Sequence, residues 1–90
     1  MELTLQLIRE DLCISTDSRD KYLMSQIRAA VSDMQMRGVI IDLSDEVHRN
    51  YIVDRVCWKF RNRANPAAVL PDFIRAQEAN IKLRARVEKE

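Results

Sequence analysis

The side chains best suited to chemistry lie together in residues 47–66, VHRNYIVDRVCWKFRNRANP. This segment holds His48 and Trp58, each the only residue of its type, together with Cys57, one of two cysteines. It also carries five basic residues and a single acid, namely Arg49, Arg55, Lys59, Arg61, Arg63 and Asp54. Such a segment could hold a metal, activate a nucleophile, enter a nucleic-acid groove or form one wall of a helical core.

Catalytic and metal chemistry find little support in the spacing of these residues. His48 has no second histidine, and Cys13 and Cys57 form no CxxC or other metal-ligand pattern. A general base needs an oriented partner and a nucleophile, and neither can be assigned here. The sequence also lacks a glycine-rich phosphate loop and a zinc motif. We therefore expect a protein that is not an enzyme and that has no catalytic residue, metal or cofactor.

The spacing within this segment instead predicts a helix with two distinct faces. Apolar residues recur at i, i+3, i+4 and i+7 and mark the face toward the core: Val53, Val56, Cys57 and Phe60. Cys57 on this face is expected to behave as a small hydrophobic side chain. Arg55, Lys59 and Arg63 follow at i, i+4 and i+8 on another face.

This basic ridge has three interpretations that the sequence leaves open. It can be a solvated face, a contact between subunits or a surface for nucleic acid. No helix-turn-helix spacing and no basic-aromatic pattern supports nucleic-acid binding. A small helical nucleic-acid-binding module therefore stays the alternative function rather than the preferred one.

The elements that position these residues are predicted to be helices, because the chain has one glycine and two prolines. We expect four helices, over about 5–13, 18–37, 45–63 and from 66–72 to about 88. Caps are predicted at Thr4, at Asp17 or Ser18, and at Ser44, with Gly38 ending the second helix. The apolar run VIIDL after Gly38 is expected to be an extended connector pressed on the core.

Length and composition predict a single all-α domain spanning residues 1–90, built as a small bundle of about four helices. The chain is 47% hydrophobic and has a net charge of +1, so no general attraction to polyanions follows from its charge balance. No secretory signal or apolar run of roughly 18 residues is found. We expect a soluble protein made in a cytoplasm, with no membrane partner and with two reduced, partly buried thiols.

The predicted core combines the apolar faces of the second, third and fourth helices. Ten residues are expected to be buried together: Leu23, Ile27, Ala30, Val31, Val53, Val56, Cys57, Phe60, Phe73 and Ile74.

Charge is divided unevenly along the chain and suggests how copies could associate. Residues 1–46 hold nine acids and five bases, a net charge of −4, whereas residues 47–90 hold ten bases and five acids, a net charge of +5. Opposite halves can pack head to tail, and such contacts close into rings or continue as filaments. The candidate subunit interface pairs acids with bases of a neighbouring copy: Asp17, Asp20 and Asp33 with Arg55, Lys59 and Arg63.

The order of these pieces resembles the phage head-tail connector (adaptor) protein family of tailed phages and prophages. LTLQLIREDLCISTDSRDKYLMSQIRAA is similar to its opening short helix, turn and long helix, with matches at Leu12, Ile14, Asp17, Asp20, Leu23, Ile27 and Ala30. Three further segments that resemble the family follow in order: a Gly38–Val39 step, the acidic DLSDE and the apolar-aromatic IVDRVCWKF. The final NPAAVLPDFIRAQEANIKLRARV resembles the family's last helix after an Asn-Pro break.

The resemblance implies a structural virion protein rather than an enzyme. Family members assemble as a ring of identical subunits that docks on the portal protein and extends the DNA exit channel toward a tail-side connector or stopper protein. DNA passes through such a ring without sequence-specific readout. The implied location is the head-tail junction of the virion, after synthesis in the bacterial host cytoplasm.

The C-terminal segment from Leu83 to Glu90 is predicted to be loosely held in the free monomer. Its apolar pattern thins to Leu83 and Val87 among charges, and chain ends that are not docked tend to be mobile. Hydrogen exchange of the isolated monomer should be fast in this segment. Slow exchange throughout it would contradict the prediction.

Overall fold

The structure is a computed structural model that describes residues 2–14 and 18–89. Four helices follow one another: α1 (Glu2–Asp11), α2 (Asp20–Met36), α3 (Glu46–Arg61) and α4 (Asp72–Lys89). Neither described range contains a strand. The predicted all-α fold of four helices is therefore confirmed. No helix in these ranges has the combination of length and apolar character that crossing a membrane requires.

Helix α3 is the centre of the bundle. It packs against α1, α2 and α4, and the other helix pair in contact within the described ranges is α1 with α2. A helix surrounded on several sides must be apolar over more than one stripe. The three consecutive residues Tyr51, Ile52 and Val53 meet this need, and all three are buried.

The core draws on every helix and on the connector after α2. Its buried members are Leu5, Ile8, Leu23, Ile27, Ala30, Met34, Val39, Ile41, Tyr51, Ile52, Val53, Val56, Cys57, Ile74 and Ile81. Seven of the ten predicted core residues appear in this set. The other eight come from all four helices and from the connector: Leu5, Ile8, Met34, Val39, Ile41, Tyr51, Ile52 and Ile81.

Three predicted core residues lie further out than expected. Phe73 is wrong as a core residue, since 58% of its surface is exposed. Val31 and Phe60 are half-buried and pack against the edge of the core. In α4, Ile74 faces α3. Because neighbouring residues of a helix differ in direction by about 100°, Phe73 points outward.

The helix starts differ from the predicted caps. Thr4 lies within α1, where its side chain is 1% exposed, because it shares the inward face with Ile8 one turn later. Asp45 rather than Ser44 caps α3, and its carboxylate accepts hydrogen bonds from the backbone N–H groups of Val47 and His48. At the start of α2 the cap residue is Arg19, whose side chain makes no capping bond. Asp17, one of the predicted caps, lies outside the described residues.

Two helices end in the same hydrogen-bonded motif with a left-handed residue. After α2, Gly38 has φ 91°, its N–H donates to Gln35 O at 3.0 Å, and the Val39 N–H donates to Met34 O at 2.9 Å. After α1, Cys13 has φ 58° and takes the place of glycine, with the Ile14 N–H donating to Arg9 O at 2.9 Å. Both patterns are Schellman motifs.

The connector after α2 contains neither helix nor strand, and it lies on the core as the sequence predicted. Val39 and Ile41 are buried, whereas Ile40 between them is 82% exposed. This alternation is typical of extended backbone, in which successive side chains point to opposite sides.

The two left-handed positions give a paired prediction about stability. Cys13→Gly should raise the free energy of unfolding by roughly 0.5–1 kcal/mol, because glycine adopts positive φ without the penalty of a Cβ. Gly38→Ala should lower it by about 1 kcal/mol. A Cβ at Gly38 would meet no atom within 4 Å, so backbone conformation rather than a clash sets that loss.

Urea unfolding of both variants measures these changes, with Cys13→Ala as the control that removes the thiol and keeps a Cβ. The assignment of the helix ends is wrong if Cys13→Gly and Cys13→Ala have the same stability.

Candidate subunit interface

The structure separates the six predicted interface residues into different environments. Asp17 lies outside the described residues. Asp20 contacts Arg9 at 2.8 Å and so joins α2 to α1. Asp33 and Arg55 contact each other within one chain at 2.9 Å. Lys59 and Arg63 are exposed.

Arg55 is therefore already engaged inside the bundle. One guanidinium nitrogen donates to Asp33 Oδ2 and the other donates to the Tyr51 hydroxyl, each at 2.9 Å. The hydrogen bond from Arg55 lowers the pKa of Asp33 below its ordinary value of 3.8, and the charges of Arg55 and Arg37 add to this effect. Burial opposes the charge of Arg55, but its bonds to Asp33 and Tyr51 outweigh burial and raise its pKa.

These contacts belong to a closed circuit of side chains, which we call the Tyr51 circuit: Asp33, Arg37, Glu78, Tyr51 and Arg55. The Tyr51 hydroxyl donates to Glu78 Oε2 at 3.1 Å. Glu78 also binds Arg37, and Arg37 lies 3.4 Å from Asp33, which completes the circuit. The circuit links α2, α3 and α4 through polar contacts, although α2 and α4 do not pack directly against each other.

Glu78 lies on the buried side of α4, where an apolar residue rather than an acid is expected. Its residue is 9% exposed. Burial raises the pKa of Glu78, but hydrogen bonds from Lys82 and Tyr51 and the charges of Arg37 and Lys82 outweigh burial, so its pKa falls below 4.5. The signal in the sequence was weak: Glu78 occupies the position between Ile74 and Ile81 on the inward stripe.

Arg63 belongs to a second surface feature, which we call the Phe60 cluster: Arg19, Tyr22, Phe60 and Arg63. The Arg63 guanidinium lies over the Phe60 ring, 4.1 Å from its centroid, and that of Arg19 lies 5.7 Å from it. Tyr22 approaches the same ring with a centroid distance of 6.1 Å. Tyrosine and arginine are enriched at protein interfaces. The sequence did not reveal this cluster, because 37 residues separate Tyr22 from Phe60 along the chain.

Other contacts also place acids of the first half beside bases of the second half within one chain. Arg61 contacts the Asp11 carboxylate at 2.9 Å and donates to the Asp11 carbonyl at the end of α1. Arg84 lies 3.9 Å from Asp45. Some of the opposite charges of the two halves therefore pair within one chain and stabilise the fold. The predicted contact between copies stays a prediction.

The residues that could do chemistry have structural partners. His48 Nδ1 accepts the Asp42 backbone N–H at 2.9 Å and so helps to fix the start of α3. Cys57 is 1% exposed, and burial raises the pKa of its thiol to about 12. Cys13, predicted to be partly buried, is exposed, and both thiols are free. Within the described ranges, no three His, Cys, Asp or Glu side chains form a group that could hold a metal ion.

Comparisons with protein families, with curated proteins and with solved structures found no match to this chain.

The Tyr51 circuit predicts a loss of stability in acid. Asp33 and Glu78 have folded-state pKa values below the ordinary 3.8 and 4.5. Their contribution is therefore complete above the unfolded-state values and is lost as the pH falls through the folded-state values. Glu78→Gln should lower the free energy of unfolding at neutral pH by about 1–3 kcal/mol.

Urea unfolding at neutral pH and at about pH 3 measures this effect. The difference between the two conditions should be smaller in Glu78→Gln than in the parent and unchanged in Glu10→Gln, a control at an exposed carboxylate. An equal acid sensitivity in all three proteins would show that the circuit does not contribute.

Proposed function

We propose that this chain is a structural adaptor that assembles into a ring at the head-tail junction of a tailed phage or prophage. In this role the ring docks on the portal protein, continues the DNA exit channel and meets a tail-side connector or stopper protein. The observation that carries the proposal is the resemblance of the sequence to head-tail connectors over nearly its whole length. The role requires no catalytic group and no sequence-specific contact with DNA.

The order of the helices supports the same proposal. A short α1 precedes the longer α2, Gly38 ends α2, an apolar-aromatic α3 follows an acidic start, and α4 begins after the proline-containing break. This is the order that the resemblance implies. It is a weaker argument than the resemblance itself, because short helical bundles serve many functions.

The ring contact is proposed to use the exposed part of the basic ridge. Lys59 and Arg63 lie on the surface, and Arg63 is stacked on Phe60, so these two can meet acids of a neighbouring copy. Asp20 and Asp17 stay the proposed acidic partners. Arg55 and Asp33 contact each other and are better regarded as supports beneath this surface. Exposed ion pairs contribute only about 0–1 kcal/mol each to the free energy of association, so these charges chiefly fix how neighbouring copies are oriented.

Nucleic-acid binding is a second candidate because of the Phe60 cluster. Its two guanidinium groups and two aromatic rings form a basic-aromatic surface of the kind that contacts single strands. The cluster is small, however, and the inward engagement of Arg55 removes one of the three basic residues on which this function would depend. Salt-dependent binding of nucleic acid by the monomer, with a steep slope, would favour it.

Assembly with the portal protein encoded in the same genome tests the proposed function. Native mass spectrometry should detect closed rings of this chain on the portal. The double variant Lys59→Glu, Arg63→Glu should assemble poorly while keeping the stability of the parent. Arg55 is left unchanged, since reversing its charge would also break the Tyr51 circuit.

The control is Lys21→Glu, Arg28→Glu, which makes the same change in charge at two exposed positions of α2. If the parent forms no rings with the portal, the proposed function is wrong. If the Lys59 and Arg63 variant forms rings as readily as the control, the function stands and this surface is only a solvated face.

A further inference from the structure

Helix α4 carries two apolar stripes, and the bundle uses only one of them. The inner stripe packs on α3 and consists of Ile74, Ile81 and the half-buried Ala85. The outer stripe recurs at i, i+3, i+10 and i+14 and consists of Phe73, Ala76, Leu83 and Val87. At 100° per residue these four positions fall within an arc of about 80° on the helix surface, which also contains the polar residue Asn80.

The outer stripe is exposed to solvent along about four turns of α4. The exposed fractions are 58% for Phe73, 60% for Leu83 and 64% for Val87. Contiguous exposed apolar side chains with a polar border mark sites of association. The border is mainly basic here, since the exposed residues beside the stripe are Arg75, Arg84 and Arg86 against one acid, Asp72.

A groove with the opposite character lies between α1 and α2. It has a volume of about 510 Å³ and is lined by Glu2, Leu5, Gln6, Arg9, Asp20 and Met24. Leu5 and Met24 provide an apolar floor, and two carboxylates against one guanidinium make the border acidic.

We propose that the outer stripe of α4 in one copy docks into the α1–α2 groove of a second copy. The inference rests on the proposed self-assembly and identifies the apolar contact that such an assembly needs in addition to its charges. Basic side chains beside the stripe meet Glu2 beside the groove, whose other carboxylate, Asp20, contacts Arg9. Because stripe and groove are different surfaces of the same chain, the contact is heterologous and can continue from copy to copy around a ring.

A symmetric contact between two α4 stripes fits the charges less well. Such a pair would bring Arg75 and Arg86 of one copy close to the same bases of the other, and like charges across an interface are unfavourable. An anionic lipid surface could also accept a basic amphipathic helix. The acidic groove on the same molecule favours the second copy.

Cross-linking between two variants that each carry one exposed cysteine distinguishes these partners. Both chains carry Cys13→Ser to remove the exposed thiol, whereas Cys57 is buried and stays in place. One chain also carries Gln6→Cys in the groove, and the other carries Phe73→Cys in the stripe. Disulfide-linked dimers should form when the two chains are mixed under oxidising conditions, and neither chain alone should form them.

Sedimentation of the free chain up to its solubility limit gives an independent measure. Phe73→Asp, Leu83→Asp should weaken self-association roughly tenfold or more, as expected for the apolar centre of an interface. The control Ile40→Asp, Val69→Asp introduces the same charges at positions that are 82% and 75% exposed outside the stripe. It should leave self-association unchanged.

Several results would overturn the inference. Dimers of the Phe73→Cys chain alone would indicate the symmetric contact, and binding to anionic vesicles without self-association would indicate a lipid surface. Absence of mixed dimers would also contradict it, and if rings still form on the portal, the proposed function survives that failure. If mixed dimers form but no rings appear on the portal, the result would support this contact and contradict the proposed function.

Discussion

The hydroxyl of Tyr51 is the point on which the packing of three helices depends. Tyr51 is fully buried in α3, and its hydroxyl lies between Arg55 on its own helix and Glu78 on α4. A buried hydroxyl or carboxylate without partners is costly, whereas a satisfied network favours a single arrangement. Because Arg37 and Asp33 complete the circuit from α2, the position of α4 on α3 and the end of α2 are fixed by the same set of contacts.

The circuit explains why a small bundle can place an acid on the inner stripe of its last helix. Burial disfavours the charge of Glu78, and the surrounding donors reverse that effect. Around the circuit the apolar core fills the spaces between helices, and the left-handed residues Cys13 and Gly38 turn the chain after α1 and α2. Opposite charge within one chain thereby orients the helices, and the exposed apolar surface of α4 is left for contacts beyond the chain.

The sequence predicted the helices and much of the core because both follow from apolar periodicity and from the scarcity of glycine and proline. It misplaced Phe73, since periodicity alone could not decide whether Phe73 or Ile74 faced α3. The pairing of Arg55 with Asp33 could not be predicted either, because the distance between two helices does not appear in the spacing along one of them. For the same reason the sequence did not predict the Phe60 cluster, whose members lie in or next to α2 and α3.

A double-mutant cycle between Asp33→Asn and Glu78→Gln tests the Tyr51 circuit most directly. The two acids share Arg37 as a partner and are also connected through Arg55 and Tyr51. Their effects on the free energy of unfolding should therefore be coupled by at least about 0.5 kcal/mol, whereas Asp33→Asn with Asp11→Asn should be additive. Additivity of Asp33→Asn and Glu78→Gln to within about 0.3 kcal/mol would contradict the circuit as the constraint that holds the bundle together.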